Sequence, residues 1–493
     1  MSAPPAAPDP RLYGQWRPER GWGIGALSAA QTATVFGAVL VPILAASLAP
    51  RIALLLAAGS VLLVAGIVIR VGGSTAADLL TRRARFTSAQ SKGWTELSGG
   101  VLTDHPRQHD LPGLLAPLVA LDSDDGRGGR QALVLDRRSG TLSAVLHCAP
   151  VGLDLAEAGR ADEWVACWGA WLADLGHRPV VRHVAMTIET TPGGAEVSDY
   201  LRGRLAPRAP AVARELMEEL IAHTPSTAAA TETRVTITLD PAKAAPRPQD
   251  LLASVAEVTR WLPGLESGLA SCGVAVLGRE SVAGLTARVR AAFDPAARDE
   301  INRQDRRRLL TEWAEAGPVG ASETWDAYRH DSGLSATWAL REAPRQAVTA
   351  RVLVPLLAPG PFARRVTLLY LPYPADEAAA QVEREVTAGQ VRRGFAQRTR
   401  RDETQRERDD RDRAVQAAQE EAEGAGLGRF TVYVTTTVTD PDDLPAAAAD
   451  LEQRAGAARL RVRRMWGAQA AGFAASLGLG VNPTEVAARG RGR

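Results

Sequence analysis

Residues 137–150 read RRSGTLSAVLHCAP, and residues 330–344 read HDSGLSATWALREAP. Each stretch has Ser-Gly, then the alternation of a strand, then Ala-Pro. A second pair follows in the same order. TETRVTITLDPAKAAPRPQDLL (231–252) and GRFTVYVTTTVTDPDDL (428–444) are β-branched strands that end in Asp-Pro and lead through Asp-Leu into an Ala-rich helix. Between these landmarks each half has one more strand, VVRHVAMTIET (180–190) and RRVTLLYLPYP (364–374). Each half closes on a short strand and a helix: CGVAVLG with ESVAGLTARVRAAF, and RLRVRRMWG with AQAAGFAASLGLG. The pattern predicts a duplication, with one copy over 130–295, a connector over 296–329 and a second copy over 330–480. The expected fold class is α+β: an N-terminal two-helix transmembrane hairpin followed by two ferredoxin-like split α+β units with long helical excursions.

The first connection of the first copy, ADEWVACWGAWLADLG (161–176), places Trp164, Trp168, Trp171 and Leu175 on one helix face. A core face against the sheet is expected there. The second copy has only the Pro-broken VLVPLLAPGPFA in that place. Its excursion is instead long and charged, over 376–424. The alternating charges of RRDETQRERDDRDRAVQAAQEEAE support an exposed helix of about 70 Å at 1.5 Å per residue. Arg400, Arg401, Arg406, Arg408, Arg411 and Arg413 make this arm a candidate docking surface for a partner. The segment around DSDDGRGGR, within a juxtamembrane linker at 71–129, reads as loop.

ALSAAQTATVFGAVLVPILAASL (26–48) and IALLLAAGSVLLVAGIVI (52–69) contain no charge, and each approaches the length that crosses a ~30 Å hydrocarbon core. They predict a membrane hairpin over 26–70, after an N-terminal segment at 1–25. Arg11, Arg17 and Arg20 precede it, and Arg70, Arg82, Arg83, Arg85 and Lys92 follow it, whereas the connection carries only Arg51. The excess of basic residues puts both chain ends in the cytoplasm. Trp16, Trp22, Arg51 and Arg70 are the expected interfacial residues. With no ionisable side chain inside either span, the hairpin reads as an anchor rather than an ion path. Residues 481–493 read as a disordered tail.

The 493 residues carry 58 basic and 56 acidic side chains, a balance that makes no case for nucleic-acid binding. Lys92 and Lys243 are the only lysines, and neither follows a glycine-rich loop, so a P-loop is excluded. Cys148, Cys167 and Cys272 are too scattered for a zinc site or a disulfide framework. His105 and His109 stand four apart, but Pro106 denies them a common helix face. His330, Asp331 and Ser332 are the residue types of a hydrolase triad, yet consecutive residues of a strand point to opposite faces. A turn is the expected reading, and no catalytic, cofactor or metal residue is assigned.

GTLSAVLHCAPVGLDL, WVACWGAWLADLG, RHVAMTIET and the run from 428 to 480 resemble the N-terminal, non-ATPase half of the conjugation ATPases of type IV secretion systems. The hairpin is similar to the PrgI-like membrane proteins that accompany those ATPases. From Leu12 to about Val481 the chain resembles a family of actinobacterial integral membrane proteins encoded beside such ATPases, which begin like YGQWRPERG. The resemblance implies a multi-pass protein of the plasma membrane that is not an enzyme. It would dock a separately encoded ATPase and other apparatus subunits, as a homo-oligomer. An EccE-like membrane component of type VII secretion is the alternative; a single larger parallel sheet would favour it.

Overall fold

The computed structural model describes residues 13–14, 29–47, 50–71, 74–99, 109–152, 156–192, 205–206, 208–223, 229–301, 312–344, 346–374 and 426–491, with single positions between 377 and 387. It is a mixed α+β structure built on one large antiparallel sheet of 13 strands. We number these β1 (Glu96–Ser98), β2 (Leu118–Asp124), β3 (Arg130–Asp136), β4 (Thr141–Pro150), β5 (Val181–Pro192), β6 (Ala229–Leu239), β7 (Val274–Arg279), β8 (Gly320–Glu323), β9 (Tyr328–His330), β10 (Gly333–Glu342), β11 (Ala363–Pro372), β12 (Gly428–Val438) and β13 (Arg461–Arg464). The helices are α1 (Ala29–Ala46), α2 (Pro50–Val68), α3 (Ala76–Ser91), α4 (Ala158–Gly176), α5 (Ala211–His223), α6 (Leu251–Ser271), α7 (Val282–Phe293), α8 (Val354–Leu357), α9 (Leu444–Ala457), α10 (Gln469–Ser476) and α11 (Pro483–Arg491).

The sheet runs β1-β8-β9-β10-β12-β11-β5-β6-β4-β3-β2, with β7 also on β4 and β13 also on β10. The two halves therefore have matching order. The first half places its strands as β7-β4-β6-β5 and the second as β13-β10-β12-β11, each with a preceding hairpin, β2–β3 or β8–β9, on its outer side. In both halves the hairpin and the short closing strand share one edge of the long first strand. β4 pairs with β3 at its start and β7 at its end, and β10 pairs likewise with β9 and β13. The halves meet where β5 pairs with β11, from Val184↔Tyr370 to Thr190↔Arg364.

Period-two alternation gives the sheet two different faces. On one face Leu142, Leu146, Val184, Ile237 and Leu239 pack with Trp171 and Leu175 of α4 and Leu262, Leu265 and Leu269 of α6. In the second half Trp338, Val432 and Val434 pack with Leu356 of α8 and Leu451 and Ala455 of α9. The Trp164–Leu175 stripe is thus a core face: Trp168 stacks on Trp171 at 5.1 Å, and the Trp171 indole donates to the Leu265 carbonyl at 3.2 Å. Full burial of such a side chain contributes about 1.5–3 kcal/mol.

The other face is covered by α7, α10 and residues 477–481. Its centre is lined by Ser143, Thr187, Thr236, Thr238, Ser335, Thr337, Thr367 and Thr435, all buried. A small-residue helix, QAAGFAAS, can approach these short side chains closely. A Cβ at Gly472 would lie 2.7 Å from Thr337 Cγ2, and one at Gly480, whose φ is +81°, 2.1 Å from Ser143 Oγ. The hydroxyls are satisfied in pairs, Ser143–Thr238 at 2.8 Å, Thr187–Thr367 at 3.0 Å and Thr337–Thr435 at 2.8 Å. Thr367 also donates to the Ser476 carbonyl at 2.8 Å, as a buried hydroxyl requires.

Several boundaries differ from those expected. DSDDGRGGR is not a loop: it is the end of β2, a tight turn and the start of β3. Asp125 Oδ1 accepts the backbone N–H of Arg127 at 2.7 Å and of Gly129 at 2.9 Å, which closes that turn. The stretch 71–129 also carries α3 and β1, and the connector 296–329 carries β8. Residues 483–491, expected as a disordered tail, form α11, and Glu485 pairs with Arg182 at 2.8 Å. The two Ser-Gly motifs are not structural equivalents. Residues 137–140 form a four-residue loop with Gly140 at φ +73°, whereas β9 and β10 are joined by Asp331 and Ser332 alone, with Asp331 at φ +34°. The arm at 376–424 lies outside the described residues apart from single positions.

Candidate functional site

His330 ends β9 with no exposed surface. Its Nδ1 lies 2.7 Å from the Phe293 carbonyl and its Nε2 2.8 Å from Ser335 Oγ. Phe293, Tyr328 and Phe473 pack around the ring at 4.7–5.8 Å. Ser332 points elsewhere and donates to Asp294 Oδ1 at 2.5 Å, while Asp331 accepts the Val319 and Gly320 N–H groups and pairs with Arg290 at 2.6 Å. The three residues form a turn whose side chains diverge, with Ser332 turned away from His330; the hydroxyl that His330 meets, Ser335 Oγ, is fully buried.

His183, on β5 in the first half, is also buried, with Nε2 3.1 Å from the Gly480 carbonyl. Burial pushes both imidazoles down to about 4. Between the halves lies a buried ionic cluster. Glu189 accepts from Arg234 at 2.9 Å, Arg298 at 2.9 Å and Arg365 at 3.1 Å. Burial alone would raise the Glu189 carboxyl, but the three guanidiniums hold it well below the usual carboxylate range. Fully paired and enclosed, this cluster locks the two halves and offers no free group for chemistry.

One groove of about 370 Å³ lies between α6 and the edge strand β7. Its carboxylates are committed: Glu266 to Arg279 at 2.5 Å and Arg127 at 3.0 Å, and Asp125 to its own turn. Among the described residues no group of His, Cys, Asp and Glu could hold a metal ion, and the three cysteines are free thiols.

What the structure assembles is a seam between the apolar helices and the sheet. Leu54, Leu55 and Leu62 of α2 are about 75% exposed, the reverse of a soluble core helix. Among the described residues only Arg51–Val68 is long and apolar enough to cross a membrane; the apolar part of α1, Gln31–Ala46, is shorter and its helix contains Pro42. The expectation of two equivalent spans is therefore met by one. Below α2 the chain turns through Arg70–Val71 and Ser74–Thr75, with Ala76 N–H donating to the Ile69 carbonyl at 2.9 Å. Thr75 caps α3 by accepting the Asp78 N–H at 3.1 Å.

α3 is then fastened to the second half. Phe86 meets Trp325 edge-on at 5.5 Å, and the Arg83 guanidinium sits 4.8 Å above the same ring. Trp325 also stacks on Trp466 at 6.4 Å, where Gly467, at φ +67°, leaves room for the indole. β1 completes the strap by pairing with β8 at the sheet edge. On the other side of the apolar helices, Tyr13–Gly14 pairs with Ala347–Val348, and the Tyr13 hydroxyl donates to Asp162 Oδ1 at 2.9 Å. The segments before α1 and after α2 thus attach to the same body.

Of the interfacial residues expected from sequence, Arg51 opens α2 and is exposed, and Arg70 lies in the short strand below it; Trp16 and Trp22 lie outside the described residues, as do Arg400, Arg401, Arg406, Arg408, Arg411 and Arg413. Trp325, Phe86 and Tyr13 were not singled out, although an isolated Trp in a turn-rich stretch was a visible signal. No family model matches this chain, and neither does any curated protein.

Two measurements test this geometry. A histidine buried neutral stabilises the fold above its unfolded pKa near 6.5, and that contribution is lost as pH falls from there toward 4. Chemical unfolding in mild detergent should show about 2 kcal/mol less stability per histidine at pH 5 than at pH 7, and His183→Gln/His330→Gln should flatten this dependence. Trp325→Ala should loosen α3, so that trypsin cuts at Arg82, Arg83 or Arg85 about tenfold faster, the equivalent of ~1.4 kcal/mol of lost aromatic and cation–π contact. Trp94→Ala, at an exposed ring, should leave the rate unchanged.

Proposed function

We propose that this chain is a non-enzymatic, membrane-anchored structural component of a type IV secretion or conjugation-like apparatus, and that its cytoplasmic α+β body docks a separately encoded ATPase. The observation that carries this reading is the seam: an outward-facing apolar helix strapped through α3 and β1 onto a sheet whose chemistry-bearing residues are consumed in packing. Such a body transmits position rather than performing chemistry.

The matching strand orders support reading each half as a ferredoxin-like split α+β unit. The closing strand lies beside the first, then the third, then the second, with α4 and α6, or α8 and α9, on one face. The copies would begin at the hairpins, near 118 and 320. An all-antiparallel sheet built from two such units fits this apparatus better than the EccE-like alternative, for which one parallel sheet was the expected mark. The common attachment of Tyr13 and Ile69 supports α1 as a second membrane pass. A chain that leaves one body and returns to it crosses an even number of times, so both ends share one side, and the basic flanks of the hairpin support the cytoplasm as that side.

Two experiments follow. In intact cells a membrane-impermeant maleimide should label Ser47→Cys, in the α1–α2 connection, and should label Lys92→Cys only after permeabilisation; labelling of both or of neither removes the hairpin. Extraction in mild detergent should co-purify a secretion or conjugation ATPase of the same cell, and the interaction should survive His330→Ala and Ser332→Ala. Absence of the ATPase from that fraction removes the docking role.

A further inference from the structure

Among the described residues β7 pairs with β4 alone, from Val274↔Pro150 to Arg279↔Leu146. Its other side carries the N–H and C=O groups of an edge strand. The groove of about 370 Å³ runs along that side, and four consecutive residues of β7, Val276, Leu277, Gly278 and Arg279, line it. Successive side chains of a strand point to opposite faces, so a wall made of four in a row is the edge itself, with its backbone exposed. The register shifts between Val276 and Gly278, and the extra residue of that bulge, Leu277, is 63% exposed. A Cβ at Gly278 would meet nothing within 4 Å, so another backbone can come close. On the facing wall, Ser267 and Ala270 of α6 present small side chains.

Donors gather at the Arg279 end of the groove. The Arg279 side chain is only 6% exposed, with Nε donating to Glu266 Oε1 at 2.5 Å and Nη1 to the Asp125 carbonyl at 2.9 Å and Gln131 Oε1 at 3.0 Å. Its Nη2 is buried with no hydrogen-bond partner among the described residues. A buried donor in that state is costly, and an oxygen arriving in the groove would satisfy it. Arg127, 58% exposed on the tip of the β2–β3 hairpin, has Nη2 3.0 Å from Glu266 Oε2. The two guanidiniums therefore share one carboxylate. Asp125, the other acid on the groove, gives Oδ1 to the N–H groups of its own turn. Guanidinium donors beside an exposed strand edge are complementary to a length of extended chain that carries a carboxylate.

We propose that the open edge of β7 binds an extended, acidic segment of a partner protein by strand addition, with an aspartate or glutamate of that segment held by Arg279 and Arg127. Backbone pairing with β7 supplies the affinity, Leu277 meets the segment's apolar side chains, and the two arginines set the acidic position. The site belongs to the first half of the chain and rests neither on the membrane anchor nor on the docking of an ATPase.

Panning a displayed library of random peptides on the full chain in mild detergent tests this, with Gly278→Val as the counter-target. A Cβ at Gly278 meets nothing and its φ lies outside the left-handed region, so Gly278→Val keeps the fold, as circular dichroism should verify, while its methyl groups obstruct the groove. Peptides enriched on the wild type should carry an aspartate or glutamate among β-branched residues. They should bind Gly278→Val about tenfold more weakly and protect the amides of residues 274–279 from hydrogen exchange. Replacing the peptide's acid by its amide should cost about tenfold on the wild type but only about threefold on Arg127→Gln. Arg130→Gln, at an exposed arginine paired with Asp122, should behave as the wild type does. If no enriched peptide tells the wild type from Gly278→Val, or if protection falls outside 274–279, strand addition is overturned. Equal binding of the acid and amide peptides overturns the carboxylate. Sedimentation in the same detergent distinguishes the other occupant: a wild-type dimer that becomes a monomer in Gly278→Val assigns the edge to a second copy of this chain and overturns the partner.

Discussion

The pairing of β5 with β11 is the constraint on which everything else depends. Each half of the chain would otherwise expose a long edge strand, and edges of that kind invite uncontrolled pairing. Joined from Val184↔Tyr370 to Thr190↔Arg364, they become the middle of a single sheet. Beneath the ladder Glu189 gathers Arg234, Arg298 and Arg365, and Thr187 meets Thr367. Neither half can supply this set alone: Glu189 and Arg234 come from the first, Arg365 from the second, and Arg298 from the segment between. A carboxylate this enclosed is tolerated only with all of its partners present, so the halves are bound to assemble as one.

That union determines what the rest of the molecule can do. With the sheet closed at its centre, its outer margins are free to take additions, and the β8 margin takes β1 and, through Trp325, α3. The apolar helices are therefore joined to the sheet by aromatic packing and backbone hydrogen bonds rather than by a flexible tether. A force or rotation applied to α2 reaches the second half directly, and through the Glu189 cluster it reaches the first. His330 and His183 hold α7 and residues 477–481 to the sheet.

Sequence reasoning went furthest where the period was strong. The three long strands of each half, the tryptophan face of α4 and the closing strand–helix pairs were legible because alternation and helical spacing are local properties. Short polar strands were not. β2 and the turn after it read as a loop because Asp and Gly dominate, and the closing hydrogen bonds at Asp125 have no signature in hydrophobicity. The Ser-Gly likeness pointed to a real pair of hairpins but misaligned them by one residue, since the loops differ in length. The seam was invisible for a different reason: Phe86, Trp325 and Trp466 are far apart in the chain, and only the folded sheet brings them together.

The sequence by itself determined the α+β class, an uncharged N-terminal run able to enter a membrane, and a repeated order of strands and helices, because each follows from composition and periodicity over neighbouring residues. Only the tertiary structure decided that the two halves form one sheet, that one face of that sheet is a sealed layer of Ser and Thr hydroxyls under α10, and that His330 is enclosed by Phe293, Tyr328 and Phe473. These outcomes depend on which distant groups meet. A buried hydroxyl, carboxylate or imidazole is stable only beside a specific partner, and the identity of that partner is a property of the fold.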